Sequence, residues 1–243
     1  MGKVFAITSG KGGVGKSTVS VGLAYAFCKA GKKVLLVDMD EGFRCLDLML
    51  GVDSSAVFDL SDILMGREIE DAIYTCDNPR GLHLIPAPAK TDTVDAYSFA
   101  KFAAEVEAVF DIVIFDFPAG INLSHYSALP HNTLFLTVAV PDPVSIRDAA
   151  VISRQLSEIS LPARLIINRF IYKQSRKYGF KNIDSMIDSS ALRLIGIVPE
   201  SYDLSLISVK HKLENKSRAL AAFKRIAARL SEENLLLPKL KKI

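Results

Sequence analysis

A glycine-rich segment near the start of the chain constrains its fold more than any other feature. Residues 9–18 read Ser-Gly-Lys-Gly-Gly-Val-Gly-Lys-Ser-Thr and follow a short apolar run. They satisfy the pattern G-x-x-x-x-G-K-[ST] at Gly10, Gly15, Lys16 and Ser17. Between a strand and a helix, this pattern predicts a loop that binds the phosphates of a nucleotide.

The residue types in this loop match the chemistry of Mg²⁺-bound phosphates. Glycines let backbone amides approach phosphate oxygens, and the following helix presents its positive N-terminal end to the same anion. Lys16 is placed to reach the outer phosphates and the Ser17 hydroxyl to coordinate Mg²⁺. We therefore predict ATP and Mg²⁺ as cofactors, with the nucleotide contacted by Gly10, Lys11, Gly12, Gly13, Val14, Gly15, Lys16, Ser17 and Thr18.

Short apolar or β-branched runs recur along the chain with helical segments between them, which is typical of a parallel sheet covered by helices on both faces. The predicted strands are 4–8, 34–38, 83–86, 112–116, 134–140, 163–168 and 194–198. The predicted helices are 17–30, 60–64, 97–110, 144–158, 184–188, 204–211 and 217–237. We predict a doubly wound, mostly parallel α/β fold of the P-loop NTPase class, with one ATPase domain (1–230) and a basic and apolar tail (231–243). The polar segment 172–182 is predicted to be a surface loop.

Composition excludes several other classes of protein. The apolar share of 49% and the charged share of 23% are those of a globular domain, and no apolar stretch approaches the roughly 20 residues needed to span a bilayer. The N-terminus runs directly into a strand without an apolar leader, which predicts a cytoplasmic protein. Cys28, Cys45 and Cys76 are far apart and form no metal-binding pair.

Carboxylates end two of the predicted strands. Asp38 and Asp40 close the second strand, and alternation along a strand points both side chains to one side. Asp116 ends the buried-strand run 112–116 in the form of a Walker B segment, which predicts Mg²⁺ binding through water. Near a phosphate loop, such carboxylates are expected to hold the Mg²⁺ shell and orient the attacking water. Without that loop, Asp38 and Asp40 would be interpreted as a helix cap or a solvated turn, and Asp116 as a strand-end cap.

Lys11 is the feature that a plain phosphate loop does not explain. With Lys11 in front of its glycine pair, the segment 9–18 resembles the deviant Walker A loop of the MinD/ParA ATPases. The resemblance implies an ATP-dependent homodimer in which Lys11 reaches the partner's ATP. A positive charge there stabilises the transferring phosphoryl group, and hydrolysis waits for dimerisation. We therefore predict Lys11, Lys16 and Asp40 as the catalytic residues.

The resemblance covers roughly residues 2–230 and is strongest to the MinD branch. Residues 38–48 are similar to the MinD switch I pattern D-x-D-x-G-x-R-N-L-D-L, with Cys45 in place of the usual asparagine and Glu41 where apolar residues are common. The pattern implies that Asp40 orients water and that Asp38 lies near the metal, which gives Ser17, Asp38 and Asp116 as the predicted metal group. Residues 117–121 resemble switch II, with Phe117 in place of serine.

Two further segments resemble the part of the family that binds adenine. Asn168 and Arg169 match the strand end whose asparagine reads the base, and an amide both donates and accepts hydrogen bonds as adenine requires. Pro199 and Glu200 match the loop that closes the base pocket. Taken alone, Asn168 would be a turn residue.

The C-terminal part of the chain does not decide which surface or molecule the ATPase binds. From residue 210 onward there are ten basic residues and three acidic ones. Leu236, Leu240 and Ile243 would share one face of a helix, although Pro238 disfavours a continuous one. The alternatives are reversible attachment to an anionic membrane or a plain terminus.

We expect a self-associating spatial regulator of the division-site type, with a regulatory activator or inhibitor protein as a further partner. A DNA-binding partition protein of the ParA type is the less favoured alternative, and a flagellar-number or protein-recruiting scaffold is another. The iron–sulfur branches of the family are disfavoured because paired cysteines are absent from the sequence.

Overall fold

The computed structural model describes residues 1–120, 122–175 and 183–242, and most of the predicted loop at 172–182 lies outside the described residues. Within these ranges, eight strands form one sheet. They are β1 (Lys3–Thr8), β2 (Val34–Asp38), β3 (Tyr74–Thr75), β4 (Leu82–Ile85), β5 (Ile112–Asp116), β6 (Leu134–Ala139), β7 (Ala163–Phe170) and β8 (Arg193–Pro199). Their order is β3-β4-β2-β5-β1-β6-β7-β8, and all neighbours are parallel except β3 and β4.

Helices cover both faces of this sheet. The helices are α1 (Lys16–Lys29), α2 (Cys45–Leu50), α3 (Leu60–Leu64), α4 (Ala96–Val109), α5 (Leu123–Ala128), α6 (Pro143–Glu158), α7 (Tyr172–Ser175), α8 (Ile183–Ser190), α9 (Tyr202–Ser205), α10 (Ile207–Lys210) and α11 (Arg218–Leu230), with 3₁₀ turns at Ile69–Ala72 and Leu240–Lys242. One core cluster joins the sheet to α1 and α11, and a second joins it to α3 and α4. The predicted doubly wound fold is confirmed.

Several predicted elements differ from the structure. The last helix ends at Leu230 and not at residue 237, since its final carbonyls accept bonds from Ser231 to Glu233. The predicted helix 204–211 is two short helices, α9 and α10, and the start of the predicted loop 172–182 is the short helix α7. The strand β3 and the short helices α2 and α5 were not predicted either. Segments of two to six residues carry too little periodicity to be recognised, because their stability comes from tertiary packing.

The tail after α11 is not helical except for the 3₁₀ turn at Leu240–Lys242. The guanidinium of Arg229 donates from Nε to the carbonyl oxygen of Leu235 at 2.7 Å and from Nη1 to that of Ile195 at 2.8 Å. Leu236 is 88% exposed, whereas Leu240 packs against the core beside β7 and β8, so the predicted shared face is wrong for these two residues. Ile243 lies outside the described residues. No helix in the described ranges has the length and apolarity to cross a bilayer.

The contact between α1 and α11 depends on a glycine. A Cβ atom built on Gly22 would lie 2.1 Å from the ring of Phe223, which is fully buried. We therefore expect Gly22→Ala to lower the free energy of unfolding by about 3 kcal/mol, despite the better helix propensity of alanine. Urea unfolding measures this change. Lys29→Ala, at an exposed position of the same helix, is the control and should change stability by less than about 0.5 kcal/mol. Equal stabilities for the two variants would contradict this packing.

Candidate functional site

The predicted phosphate loop connects the central strand β1 to the N-terminus of α1. Gly13 and Gly15 have φ angles of 78° and 90°, in the left-handed region that favours glycine. Gly15 is the N-cap of α1 and provides no side-chain hydrogen bond to the helix. The first amides of α1 are therefore left to an external acceptor, which is the arrangement that binds anions.

The loop is anchored on one side and open on the other. A Cβ atom on Gly10 would lie 2.8 Å from both the Cβ and the carbonyl oxygen of Asp148, so Gly10 permits close packing against α6. In contrast, Cβ atoms on Gly12 and Gly13 would meet nothing within 4 Å. The Ser9 hydroxyl donates to the carbonyl oxygen of Lys11 at 2.8 Å and shapes the turn between these two parts.

The two lysines of the loop differ in exposure. Lys16 is half-buried at the start of α1, whereas Lys11 is exposed and forms no ion pair with any residue that the structure describes. Lys11 is thus available to a negatively charged ligand.

Three strand ends bring the acidic residues to this loop. In the sheet register, Asp38 at the end of β2 is paired with Asp116 at the end of β5, and Asp116 is paired with Ile7 of β1. Both carboxylates are buried, with exposed fractions of 0% and 1%. The carboxyl ends of parallel strands are where ligands bind in doubly wound folds.

Asp116 is held by residues of α1. Its Oδ1 accepts a hydrogen bond from the Ser20 hydroxyl at 2.8 Å. Burial raises the pKa of Asp116 to about 6, against hydrogen bonds from Ser17 and Ser20 that lower it. Ser20 was not predicted from the sequence, because its partner Asp116 is 96 residues away along the chain and no local pattern connects the two.

Asp38 has a structural role in addition to its predicted place near the metal. Its Oδ1 accepts from the amide of Asp40 at 3.0 Å and its Oδ2 from the amide of Leu46 at 3.1 Å, which ties β2 to the start of α2. Burial, together with the charge of Asp116, raises the pKa of Asp38 to about 7. Asp40 is half-buried, and burial raises its pKa while Lys16 opposes the rise.

The donors around Ser17 fit Mg²⁺ carried in by a nucleotide. The Ser17 hydroxyl accepts a hydrogen bond from the Cys45 thiol at 3.3 Å and is close enough to Asp116 to lower the pKa of that carboxyl. Among the described residues, no group of three or more His, Cys, Asp or Glu side chains forms a metal cage. Mg²⁺ is typically held by one or two protein oxygens together with phosphates and water, so a hydroxyl beside buried carboxylates suits it.

The switch II segment also lies against the loop. The amide of Gly120 donates to the carbonyl oxygen of Ser9 at 2.9 Å, and the Tyr126 hydroxyl donates to the carbonyl oxygen of Gly120 at 3.2 Å. Phe117, which replaces the serine of the family pattern, is buried among Phe99, Phe115 and Tyr126. This substitution therefore contributes to the core.

The residues predicted to bind the base lie at the adjacent ends of β7 and β8. The Asn168 amide donates to the carbonyl oxygen of Val14 at 2.8 Å, while its buried Oδ1 has no partner among the described residues. An unpaired buried acceptor is costly, and the donor groups of a nucleotide base would satisfy it. Arg169 is exposed, with φ 53°. Pro199 is buried opposite Phe170, and the next residue, Glu200, is exposed.

The raised pKa of Asp116 gives a pH prediction for the nucleotide-free protein. Between about pH 4 and pH 6 the folded state binds more protons than the unfolded state, so stability falls as the pH rises through this window. Above about pH 6, Asp116 is ionised and Asp116→Asn removes a buried charge. This substitution is expected to raise the free energy of unfolding by about 2 kcal/mol at pH 8, and to give no gain at pH 4, where Asp116 is protonated. Urea unfolding in EDTA measures both values. Asp188→Asn, an exposed substitution, serves as the control, and an equal gain at both pH values would contradict the assignment.

Fold and site together define a P-loop nucleotide-binding protein with a second lysine in its phosphate loop. Residues 5–214 match the CobQ/CobB/MinD/ParA nucleotide binding domain, and the chain belongs to this family, whose MinD and ParA members are ATPases. It is 32% identical over 244 residues to the septum site-determining protein MinD of Bacillus subtilis, covering 97% of this chain and 91% of that protein.

Solved structures agree with this assignment. The chain is similar to a chain of the MinC:MinD cell division protein complex of Aquifex aeolicus, with a TM-score of 0.88, 31% identity and coverage of 98% of this chain and 99% of that chain. It is also similar to septum site-determining MinD of Pyrococcus horikoshii complexed with Mg-ADP, with a TM-score of 0.82, 25% identity and coverage of 96% and 97%. The resemblance to the MinD/ParA ATPases is confirmed.

Proposed function

We propose that this protein is a MinD-like spatial regulator that binds Mg-ATP, dimerises, and returns to the monomer on hydrolysis. The observation that carries the proposal is an exposed lysine, Lys11, beside a half-buried one, Lys16, in an open phosphate loop. A lysine reaching across a dimer would supply charge to the partner's phosphates. Hydrolysis would then depend on dimerisation.

Within one subunit, different residues would bind the nucleotide and promote its hydrolysis. The amides from Gly10 to Thr18 and the Lys16 ammonium would hold the phosphates, with Ser17, Asp38 and Asp116 around the Mg²⁺ that these phosphates carry. Mg²⁺ supplies charge neutralisation at the transferring phosphoryl group. Asp40 would orient the attacking water, and Asn168 with Arg169, Pro199 and Glu200 would enclose the base.

The partners that fit this role are a second copy of the chain, a regulatory protein and an anionic membrane surface. A regulatory partner is supported by the similar Aquifex chain, which is a component of a MinC:MinD complex. Attachment to a membrane is supported by the tail, where Leu236 is exposed close to Lys239 and Lys241. Two tails in one dimer would bind more strongly than one through avidity. The proposed location is the cytoplasm, with reversible attachment to the inner face of the membrane.

The test is ATP turnover measured across protein concentrations, with and without vesicles containing anionic lipid. A rate per subunit that rises with concentration, and rises further with vesicles, is expected for a dimer-dependent ATPase that gathers on a membrane. Lys16→Ala is the control and should lose both binding and turnover. A constant rate per subunit under all conditions would exclude dimer dependence.

DNA binding of the ParA type is the second candidate, because the chain from residue 210 onward has ten basic residues against three acidic ones. Gel shifts on random duplex with ATP and with ADP test it. Binding that requires ATP and weakens steeply with salt would favour DNA over the membrane as the surface.

A further inference from the structure

Glu41, next to the proposed water-orienting Asp40, makes an unusually complete set of hydrogen bonds. Its Oε1 accepts from the Thr93 hydroxyl at 2.8 Å, the Val94 amide at 3.0 Å and the Thr93 amide at 3.1 Å, and its Oε2 accepts from the Asp92 amide at 2.9 Å. A glutamate in a surface loop is usually solvated, whereas this carboxylate has four protein donors.

The segment that receives Glu41 has the form of an anion-binding nest. Three successive amides, those of residues 92–94, converge on one carboxylate, and Asp92 has a φ of 59°. Alternation of left-handed and ordinary backbone turns successive amides towards one point and creates a site for a negative charge. Hydrogen bonds to an ionised acceptor are about twice as strong as neutral ones.

This contact holds the backbone that carries Asp40. On one side, the Asp40 amide donates to Asp38 at 3.0 Å. On the other side, Glu41 is fixed to the 92–94 nest, and the Gly42 amide donates to the carbonyl oxygen of Pro88 at 2.9 Å. The backbone at Asp40 is therefore fixed by hydrogen bonds on both sides.

The nest is also connected to the helix that follows switch II. Nε2 of His125 lies 2.8 Å from the carbonyl oxygen of Val94, and the carbonyl can only accept, so the ring nitrogen donates. His125 belongs to α5, which begins three residues after Gly120. One continuous set of hydrogen bonds thus extends from Glu41 to α5.

We infer that Glu41 is a positioning residue for Asp40, acting as a clamp that fixes the switch I turn to the 92–94 nest. The inference rests on the proposed function, because it assumes that Asp40 orients the attacking water. Small displacements of a positioned group are costly in catalysis, since a shift of about 1 Å reduces rates by about a hundred-fold. The clamp therefore affects turnover through geometry, with no direct contact to the nucleotide.

The experiment compares Glu41→Ala with Glu41→Gln, which keeps the length of the side chain and one acceptor oxygen. Glu41→Ala is expected to reduce ATP turnover by about fifty-fold with little change in affinity for a non-hydrolysable ATP analogue, and Glu41→Gln to fall between it and the unaltered protein. Hydrogen exchange of the amides at 92–94 should become faster in the same order. Thr93→Val removes one of the four bonds from the nest side and should have a small effect. Glu70→Ala, at an exposed position, is the matched control and should change none of these values.

The outcomes separate the clamp from the proposed function. If Asp40→Asn retains full turnover, the proposed role of Asp40 fails. If Asp40→Asn loses turnover while Glu41→Ala keeps both turnover and slow exchange at 92–94, the clamp alone is overturned. Loss of turnover with unchanged exchange, or with an equal loss of nucleotide affinity, also overturns it.

Discussion

Replacing Lys11 with alanine is expected to reduce dimer-stimulated ATP turnover by about a thousand-fold, with little change in ATP affinity. Lys11 is exposed in the phosphate loop, has no acidic partner among the described residues, and is followed by Gly12 and Gly13, whose surroundings are open. Its charge is therefore proposed to stabilise the transition state in a partner subunit, and such a contact contributes to turnover more than to ground-state binding.

Single-turnover kinetics and equilibrium nucleotide binding measure the two effects of Lys11→Ala separately. Lys101→Ala removes an exposed lysine of α4 and is the matched control. Lys11→Ala protein that hydrolyses ATP at the unaltered rate would contradict the role of this lysine. Equal losses of affinity and turnover would assign Lys11 to nucleotide binding alone.

Asp40→Asn is expected to reduce turnover by at least about a hundred-fold while ATP binding and dimerisation are kept. Asparagine preserves the size of the side chain but not the charge that orients and polarises water. Because burial raises the pKa of Asp40 while Lys16 opposes the rise, turnover of the unaltered protein should fall at acidic pH as this carboxylate is protonated. Analytical ultracentrifugation with ATP measures the dimer, and phosphate release measures turnover. Fast hydrolysis by Asp40→Asn would exclude a water-orienting role.

A mixture of these two inactive variants tests whether Lys11 acts in trans. In a mixed dimer, the Lys11→Ala subunit keeps its own Asp40 and receives Lys11 from the Asp40→Asn partner, so one of its two sites is complete. With random pairing, half of the dimers are mixed, and turnover should recover to about a quarter of the unaltered rate. If Lys11 acted within its own subunit, no site in the mixture would be complete and no recovery would occur.

The fold was largely predictable because its signals are strong and local. The strands β1, β2 and β5 are continuous apolar runs, and helices such as α4 and α6 have long apolar patterns that begin directly after N-capping aspartates, Asp95 and Asp142. The last predicted helix, 217–237, was too long and shows the limit of such patterns. Leucines at 235–237 continue the apolar character of α11, but the chain leaves the helix at Ser231 and Arg229 bonds the tail to β8.

Some residues of the candidate site were also predictable from the sequence and others were not. The phosphate loop and Asp38, Asp40 and Asp116 were recognisable because each lies at a fixed position relative to a strand. Ser20, which bonds Asp116, and the 92–94 nest, which binds Glu41, were not predicted. These partners are separated by 51 to 96 residues along the chain, so no local pattern connects them.

The sequence by itself determined the phosphate loop, the strand-end carboxylates and the extra lysine, because the chemistry of phosphate and Mg²⁺ requires particular residue types at fixed spacing. Only the tertiary structure decided that Asp38 anchors α2, that Phe117 belongs to the core and that Glu41 fixes switch I. These roles depend on which distant backbone amides and side chains meet a given residue, and that is set by the packing of the whole sheet and its helices.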